Sequence, residues 1–296
     1  MFADPFLILE VDGNLSTASV CLATILFAAA AFLVCLGAPS PALAFVLLAA
    51  TLTFTWVGAR VELQRKETEP NTGHSLLAGA LLSLLGLLLA FTLSASAGRL
   101  DNRRMASINE ANAIGTASLR LSLLPDAPRQ ELKTLYIEYI ENRLMFNGLL
   151  SREDRYDYEE SHFDDPTVVR PLSAVQADIW KQVVASVDAD SRLLVIPAVN
   201  ESFDASSTRE TLTRAFTPTP ILFFLTALTM LCAFLVGEAT ARSGGNVWLY
   251  RILFATAISA AIFIVVDLDN PRTGLIRISQ VDALLSSTEK SLKATP

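Results

Sequence analysis

Apolar residues along this chain are gathered into long blocks rather than interleaved with polar ones. No Asp, Glu, Lys or Arg occurs between Gly13 and Ala59, and none in Ser75–Gly98, Ala215–Gly237 or Ile252–Val266. A helix on the surface of a water-soluble domain carries polar residues along its outer face, so blocks without them are surrounded by lipid or by other helices. A spanning helix needs roughly 20 mostly apolar residues, and the first block is long enough for two. Pro39 and Pro41 divide it, because proline interrupts a helix, which predicts spans near 16–37 and 42–60. A secretory signal ending near Ala42–Ala44 would need a basic leader, whereas Asp4, Glu10 and Asp12 precede the apolar run.

The third predicted span is Ser75–Ala97. Gly79, Ser83, Gly86, Ala90 and Ala97 recur at helical spacing, with Ser94 beside them. A small-residue stripe lets helix backbones approach closely in a membrane, and tight packing is the first reading of it; the sharper reading is that the stripe lines a pore. Pro218 and Pro220 suit the first turn of a fourth span, which runs to about Gly237. Glu238, Arg242 and Ser243–Gly245 form a turn. A fifth span covers 247–266, with Trp248 and Tyr250 as interfacial aromatics and Arg251 reaching for the headgroups.

Between the third and fourth spans the pattern changes. Residues 98–216 hold 19 acidic and 14 basic side chains, and their apolar positions have helical periodicity. Met105–Leu124 could continue the third span beyond the membrane. Asp126 and Pro128 mark a helix start. After them Leu132, Leu135, Tyr136, Tyr139, Ile140 and Leu144 share one face. Val175, Ile179, Trp180, Val183, Val184 and Val187 mark another helix. A last one is expected from about Ala198 to Phe216, with a Glu210–Arg214 pair at i,i+4. The organisation expected is therefore all-α: spans one to three in 1–97, a helical polar region in 98–216, spans four and five in 217–268, and a tail in 269–296. Near-membrane basic residues number seven on the side of the polar region (Arg99, Arg103, Arg104, Arg209, Arg214, Arg272, Arg277) and five on the other (Arg60, Arg65, Lys66, Arg242, Arg251). By the positive-inside rule the polar region faces the cytoplasm.

Composition excludes several functions. The chain is 52% hydrophobic and 18% charged, against about 25% charged in soluble domains. A net charge of -7 argues against nucleic acid as a partner. Cys21, Cys35 and Cys232 lie in apolar blocks without CxxC spacing, and the two histidines, His74 and His162, are too few for a His-built metal site. There is no phosphate loop, GxSxG elbow or HExxH, so neither enzyme activity, a cofactor nor a metal is expected. The carboxylates Glu153, Asp154, Asp157, Glu159, Glu160, Asp164 and Asp165 lack the calcium-loop ligand ladder and read as a solvated connection.

Two motifs remain. In the run Glu110–Arg120, residues Asn109, Asn112, Thr116 and Arg120 share a polar face, and Glu110, Ile114, Ala117 and Leu121 the face beside it, with Gly115 among the small residues. A buried Glu110 would need a partner: Arg103, Arg120, or a group on another helix or subunit. The run fits a polar constriction or an intersubunit packing seam. At the end of the fifth span, Asp267, Asp269, Asn270, Pro271, Arg272 and Gly274 read as a helix stop and anchor, with Arg272 and Arg277 as candidate partners for the aspartates.

GRLDNRR, EANAIGTASLR, LLPDAPRQELKTLYIEY and VDLDNPRTGLIRIS follow one another in the order seen in the bacterial bestrophin-like family of unknown function. The chain resembles that family over roughly residues 42–285. Glu110, Gly115, Thr116, Arg120, Asp267, Asp269, Pro271 and Gly274 fall on its motif positions. The resemblance implies kinship with bestrophins, which are pentameric ion channels with an all-helical cytosolic part. Bestrophin pores have a narrow neck of bulky apolar residues; the stripe in the third span departs from this, with Phe91 the span's only aromatic. The expectation is a homo-oligomer of the bacterial inner membrane that passes small ions passively. The alternative is a non-conducting scaffold that docks proteins through its acidic helical region.

Overall fold

The computed structural model describes residues 17–36, 41–65, 72–149, 170–243, 247–270, 275 and 279–294. They form α1 (Thr17–Leu36), α2 (Pro41–Gln64), α3 (Thr72–Arg120), a 3-10 turn (Leu121–Leu123), α4 (Asp126–Leu149), α5 (Leu172–Ser186), α6 (Ala189–Thr213), α7 (Thr219–Thr240), α8 (Val247–Asp269) and α9 (Ser279–Ala294). Helices α1, α2, α3, α7 and α8 are long and apolar enough to cross a membrane, as the charge-free blocks predict. The chain divides into two compact units: Met1–Ala97 with Phe216–Asn270, and Gly98–Ala215 with Pro271–Pro296.

In the apolar unit, α2 and α7 run side by side. Gly58 and Gly237 bring their backbones together: a Cβ on Gly58 would stand 2.0 Å from the Phe234 carbonyl oxygen, and one on Gly237 2.0 Å from that of Thr55. In the core of this unit Leu43, Leu47, Ala50, Leu225 and Cys232 are buried with Leu85 of α3 and Ile262 of α8. Phe27 of α1 meets Phe54 and Phe223 edge-on, the favoured geometry for aromatic pairs. Buried hydroxyls satisfy themselves on the preceding turn. Thr51 donates to the Leu47 carbonyl at 2.7 Å, which leaves its oxygen facing Ser259 of α8 at 3.3 Å.

The polar unit has its own core. Ile114 and Ala117 of α3, Leu132, Tyr136 and Ile140 of α4, Val175, Ile179 and Val183 of α5, and Val195 and Val199 of α6 are buried together. The α4 face is the one its periodicity predicts. Three expectations are corrected. Trp180 and Val184 are exposed, because the buried face of α5 is the narrower 175/179/183 row. Helix α6 begins at Ala189, where the Asp188 side chain accepts from the amides of Asp190 and Ser191, and it runs through an exposed Pro197 at the loss of one backbone bond. The expected tail contains α9, whose Leu285 and Leu292 join this core and whose Lys293 reaches Glu141 of α4 at 2.8 Å. The acidic stretch Glu153–Asp165, with His162, and residues Pro271, Arg272, Gly274 and Arg277 lie outside the described residues.

Candidate functional site

In its membrane-length part α3 has three faces. Ala78, Leu85, Leu89, Thr92 and Ser96 are buried. Gly79, Ser83, Gly86, Ala90 and Ser94 are exposed, and a Cβ on Gly79 or Gly86 would meet nothing within 4 Å. The small-residue stripe is therefore not what packs this protomer; the close backbone approach is made by Gly58 and Gly237. Beside the stripe lies a third face of exposed bulky residues, Leu77, Leu84, Leu87 and Phe91. The span thus offers bulky side chains next to its small ones. Ser83 donates to the Gly79 carbonyl at 2.8 Å, so its hydroxyl oxygen is left as an acceptor on the open face.

Further along α3 the predicted division into two faces holds. Ile114, Ala117 and Leu121 are buried, while Asn109 and Asn112 are exposed and Gly115 and Thr116 half-buried. A Cβ on Gly115 would also meet nothing within 4 Å. Glu110 is fully buried, and of the partners considered it takes groups on other helices. One carboxylate oxygen accepts from Arg143 Nε of α4 at 2.6 Å and the other from an Arg209 guanidinium nitrogen of α6 at 2.5 Å. Burial alone would lower the pKa of Arg143; the Glu110 carboxylate reverses this and holds the guanidinium above its ordinary range. Burial also pushes the neighbouring Tyr139 hydroxyl up. Arg103 and Arg120 do other work. Arg103 donates to the Leu212 and Ala215 carbonyls at 3.2 and 2.6 Å, capping the end of α6 where a cation is favoured. Arg120 donates to the Leu194 carbonyl at 2.8 Å.

At the end of α8, Asp267 and Asp269 are both buried. Asp269 accepts from the amide and hydroxyl of Thr217 at 2.9 and 2.5 Å. Thr217 stands just before α7, so this carboxylate ties the end of one span to the start of another. At the opposite ends of α2 and α7, Arg65 meets Glu238 at 3.3 Å and Arg242 meets Glu62 at 3.1 Å. Among the described residues no group of three His, Cys, Asp or Glu is placed to hold a metal ion.

The Bestrophin-like domain matches residues 45–283. The chain belongs to that family. No curated protein matches significantly. Solved structures of a bacterial bestrophin homolog from Klebsiella pneumoniae share the fold. A tryptophan-to-alanine variant superposes with a TM-score of 0.63 at 14% identity, covering 83% of this chain and 95% of that one. An isoleucine-to-threonine variant gives 0.63 at 13% identity, covering 84% and 97%. This bestrophin-like chain is a multi-pass helical membrane protein, as the four motifs suggested.

Sequence reasoning missed Arg143, Arg209, Gly58 and Gly237 as partners in these contacts. Arg143 does carry a signal: it follows Tyr139 and Ile140 on the apolar face of α4, where a cation needs a buried anion. Gly58 and Gly237 carry a weaker one, each being a glycine within an otherwise bulky span.

Proposed function

We propose that this bestrophin-like protein assembles as a homo-oligomer around an axis lined by α3 and passes small ions passively. The exposed hydroxyl-bearing face of α3 carries the reading. Among the candidate spans, α3 is the least buried, and its open face places Ser83 and Ser94 where a single protomer leaves them to solvent or lipid. The Ser83 hydroxyl donates within its own helix, and the acceptor oxygen it leaves on this face finds no partner in lipid tails, which favours water or a second copy there. Copies of α3 arranged about an axis supply both. The family and its solved Klebsiella relatives support this arrangement, five copies being the number that kinship with bestrophins implies. The bacterial inner membrane, with the polar unit in the cytoplasm, is the location consistent with the basic-residue count. Purified protein in liposomes is expected to release a trapped salt gradient; a preparation that is monomeric by native mass and shows no flux under any gradient refutes the proposal.

The scaffold alternative has one observation in its favour. Leu119 and Leu193, 77% and 80% exposed, stand near the Arg120–Leu194 contact as an apolar docking surface. It predicts a copurifying partner lost on Leu193→Asp, with no ion flux.

A further inference from the structure

We infer that the open face of α2 carries a binding site for an anionic phospholipid, with Arg60 and Trp56 holding the headgroup phosphate. The site lies within the apolar unit and does not depend on ion conduction. Phe45, Leu52, Trp56 and Leu63 fall within about 20° of one line along α2. Phe45 and Leu63 are 71% and 58% exposed, and Leu52 and Trp56 are half-buried. A row of large apolar side chains left open along a span is a surface for lipid. Arg60 lies one turn after Trp56 and about 40° round from it. Gly58 and Glu62 lie on the other side of the helix, each about 160° from Arg60. There Gly58 packs on α7 and Glu62 meets Arg242.

The remaining charges at this end of the unit are matched. Arg242 pairs with Glu62 at 3.1 Å and Arg65 with Glu238 at 3.3 Å. Arg242 also donates to the Glu62 and Arg65 carbonyls at 3.1 and 2.8 Å. Arg251 donates through Nε to the Thr240 hydroxyl at 2.9 Å. Arg60 differs. Its guanidinium lies over the Trp56 ring, 5.3 Å from the centroid, and among the described residues no oxygen accepts a hydrogen bond from it. An indole face attracts a cation but leaves the guanidinium N–H donors in need of acceptors, and lipid tails supply none. A headgroup phosphate supplies both the charge and the paired oxygens that match the guanidinium fork. Trp56 is of the residue type that settles at headgroup depth. Both neighbouring carboxylates, Glu62 and Glu238, are held in pairs with Arg242 and Arg65, so the Arg60 face is cationic. That charge selects an anionic lipid over a zwitterionic one, whose ammonium group Arg60 would repel.

The test compares phosphatidylglycerol with phosphatidylcholine of the same chains, added to the delipidated full-length protein in neutral detergent. Lipid retained by native mass and the rise in melting temperature, which a ligand of the folded state produces, are read for wild type, Arg60→Gln and Trp56→Leu. Lys181→Gln, an exposed cation of α5, controls for net charge. Wild type and Lys181→Gln are expected to bind phosphatidylglycerol several-fold more tightly than phosphatidylcholine. Arg60→Gln should bind the two equally, and Trp56→Leu should lose part of the preference. Melting without added lipid should be the same in wild type and Arg60→Gln, since no protein group bonds to that guanidinium. A wild type that does not distinguish the two lipids, or an Arg60→Gln that keeps the preference, overturns the inference. So does a stabilisation that inorganic phosphate reproduces, which assigns the site to a free anion. A loss of oligomer mass in Arg60→Gln without any lipid dependence also overturns it, because a second copy then covers this face.

Discussion

Glu110 accepts two charge-assisted bonds from opposite sides in the core of the polar unit. Such a network is costly to assemble and costlier to break, because removing one member strands the others away from water. Glu110→Gln is expected to destabilise the polar unit by about 3–5 kcal/mol, read as a lower melting temperature of the detergent-solubilised protein. Replacing all three, Glu110→Leu with Arg143→Met and Arg209→Met, should recover most of the loss. The motif signalled a buried carboxylate but not its partners, because Arg143 and Arg209 are distant in sequence and meet Glu110 only through packing of α4 and α6 on α3. Asp269 follows the same logic: Asp269→Ala removes the acceptor of the Thr217 amide and hydroxyl and should cost about 1–3 kcal/mol. Asp188 behaves differently. The Ser191 hydroxyl, then the Ser191 and Asp190 amides, hold its carboxylate below its ordinary 3.8. A depressed pKa stabilises the fold above the unfolded value, and that contribution is lost as pH falls below about 3.8 through the folded one. Circular dichroism on acidification should show Asp188→Ala losing the part of the acid sensitivity that this cap contributes.

Among the elements, the glycines separate into two kinds. Gly58 and Gly237 make a backbone contact that no side chain can share. Gly58→Val should force α2 and α7 apart and cost at least about 1–3 kcal/mol by overpacking, seen as loss of folded protein in detergent. Gly86→Val meets open space within the protomer, so monomer stability should hold while native mass shows weaker association between copies. A monomer that melts earlier in Gly86→Val, with assembly unchanged, would contradict the assignment of that face to neighbours. The five spans were legible because a charge-free run of a whole helix length, repeated five times, asks for more apolar surroundings than a water-soluble core supplies. Helix α4 was legible from its 3.6-residue period. Helix α9 was not, since it carries two core leucines among polar residues and becomes a stable helix by packing on α4. Leu285→Ala should test this, costing about 2–5 kcal/mol, whereas Lys293→Ala, which loses an exposed pair, should cost under about 1 kcal/mol.

At the scale of the whole molecule, α3 leaves two faces of its membrane-length part open within the protomer, one of small residues and one of bulky apolar ones. The stripe itself was legible in the sequence; which way it faced was not, because a face free of large side chains serves tight packing and a lined path equally well. Burial separates the two within one chain: the close backbone approach belongs to Gly58 and Gly237, and the stripe is exposed in the protomer. The central claim is that this open face lines an ion path. Its most direct measurement is thiol block of conductance in a background with Cys21, Cys35 and Cys232 replaced. Reconstituted Ser94→Cys should conduct, and a membrane-impermeant charged thiol reagent should abolish most of its current. Leu85→Cys, on the buried face, should conduct and resist the reagent. Current in Ser94→Cys that survives complete modification, or no current in the unmodified protein, would contradict the account.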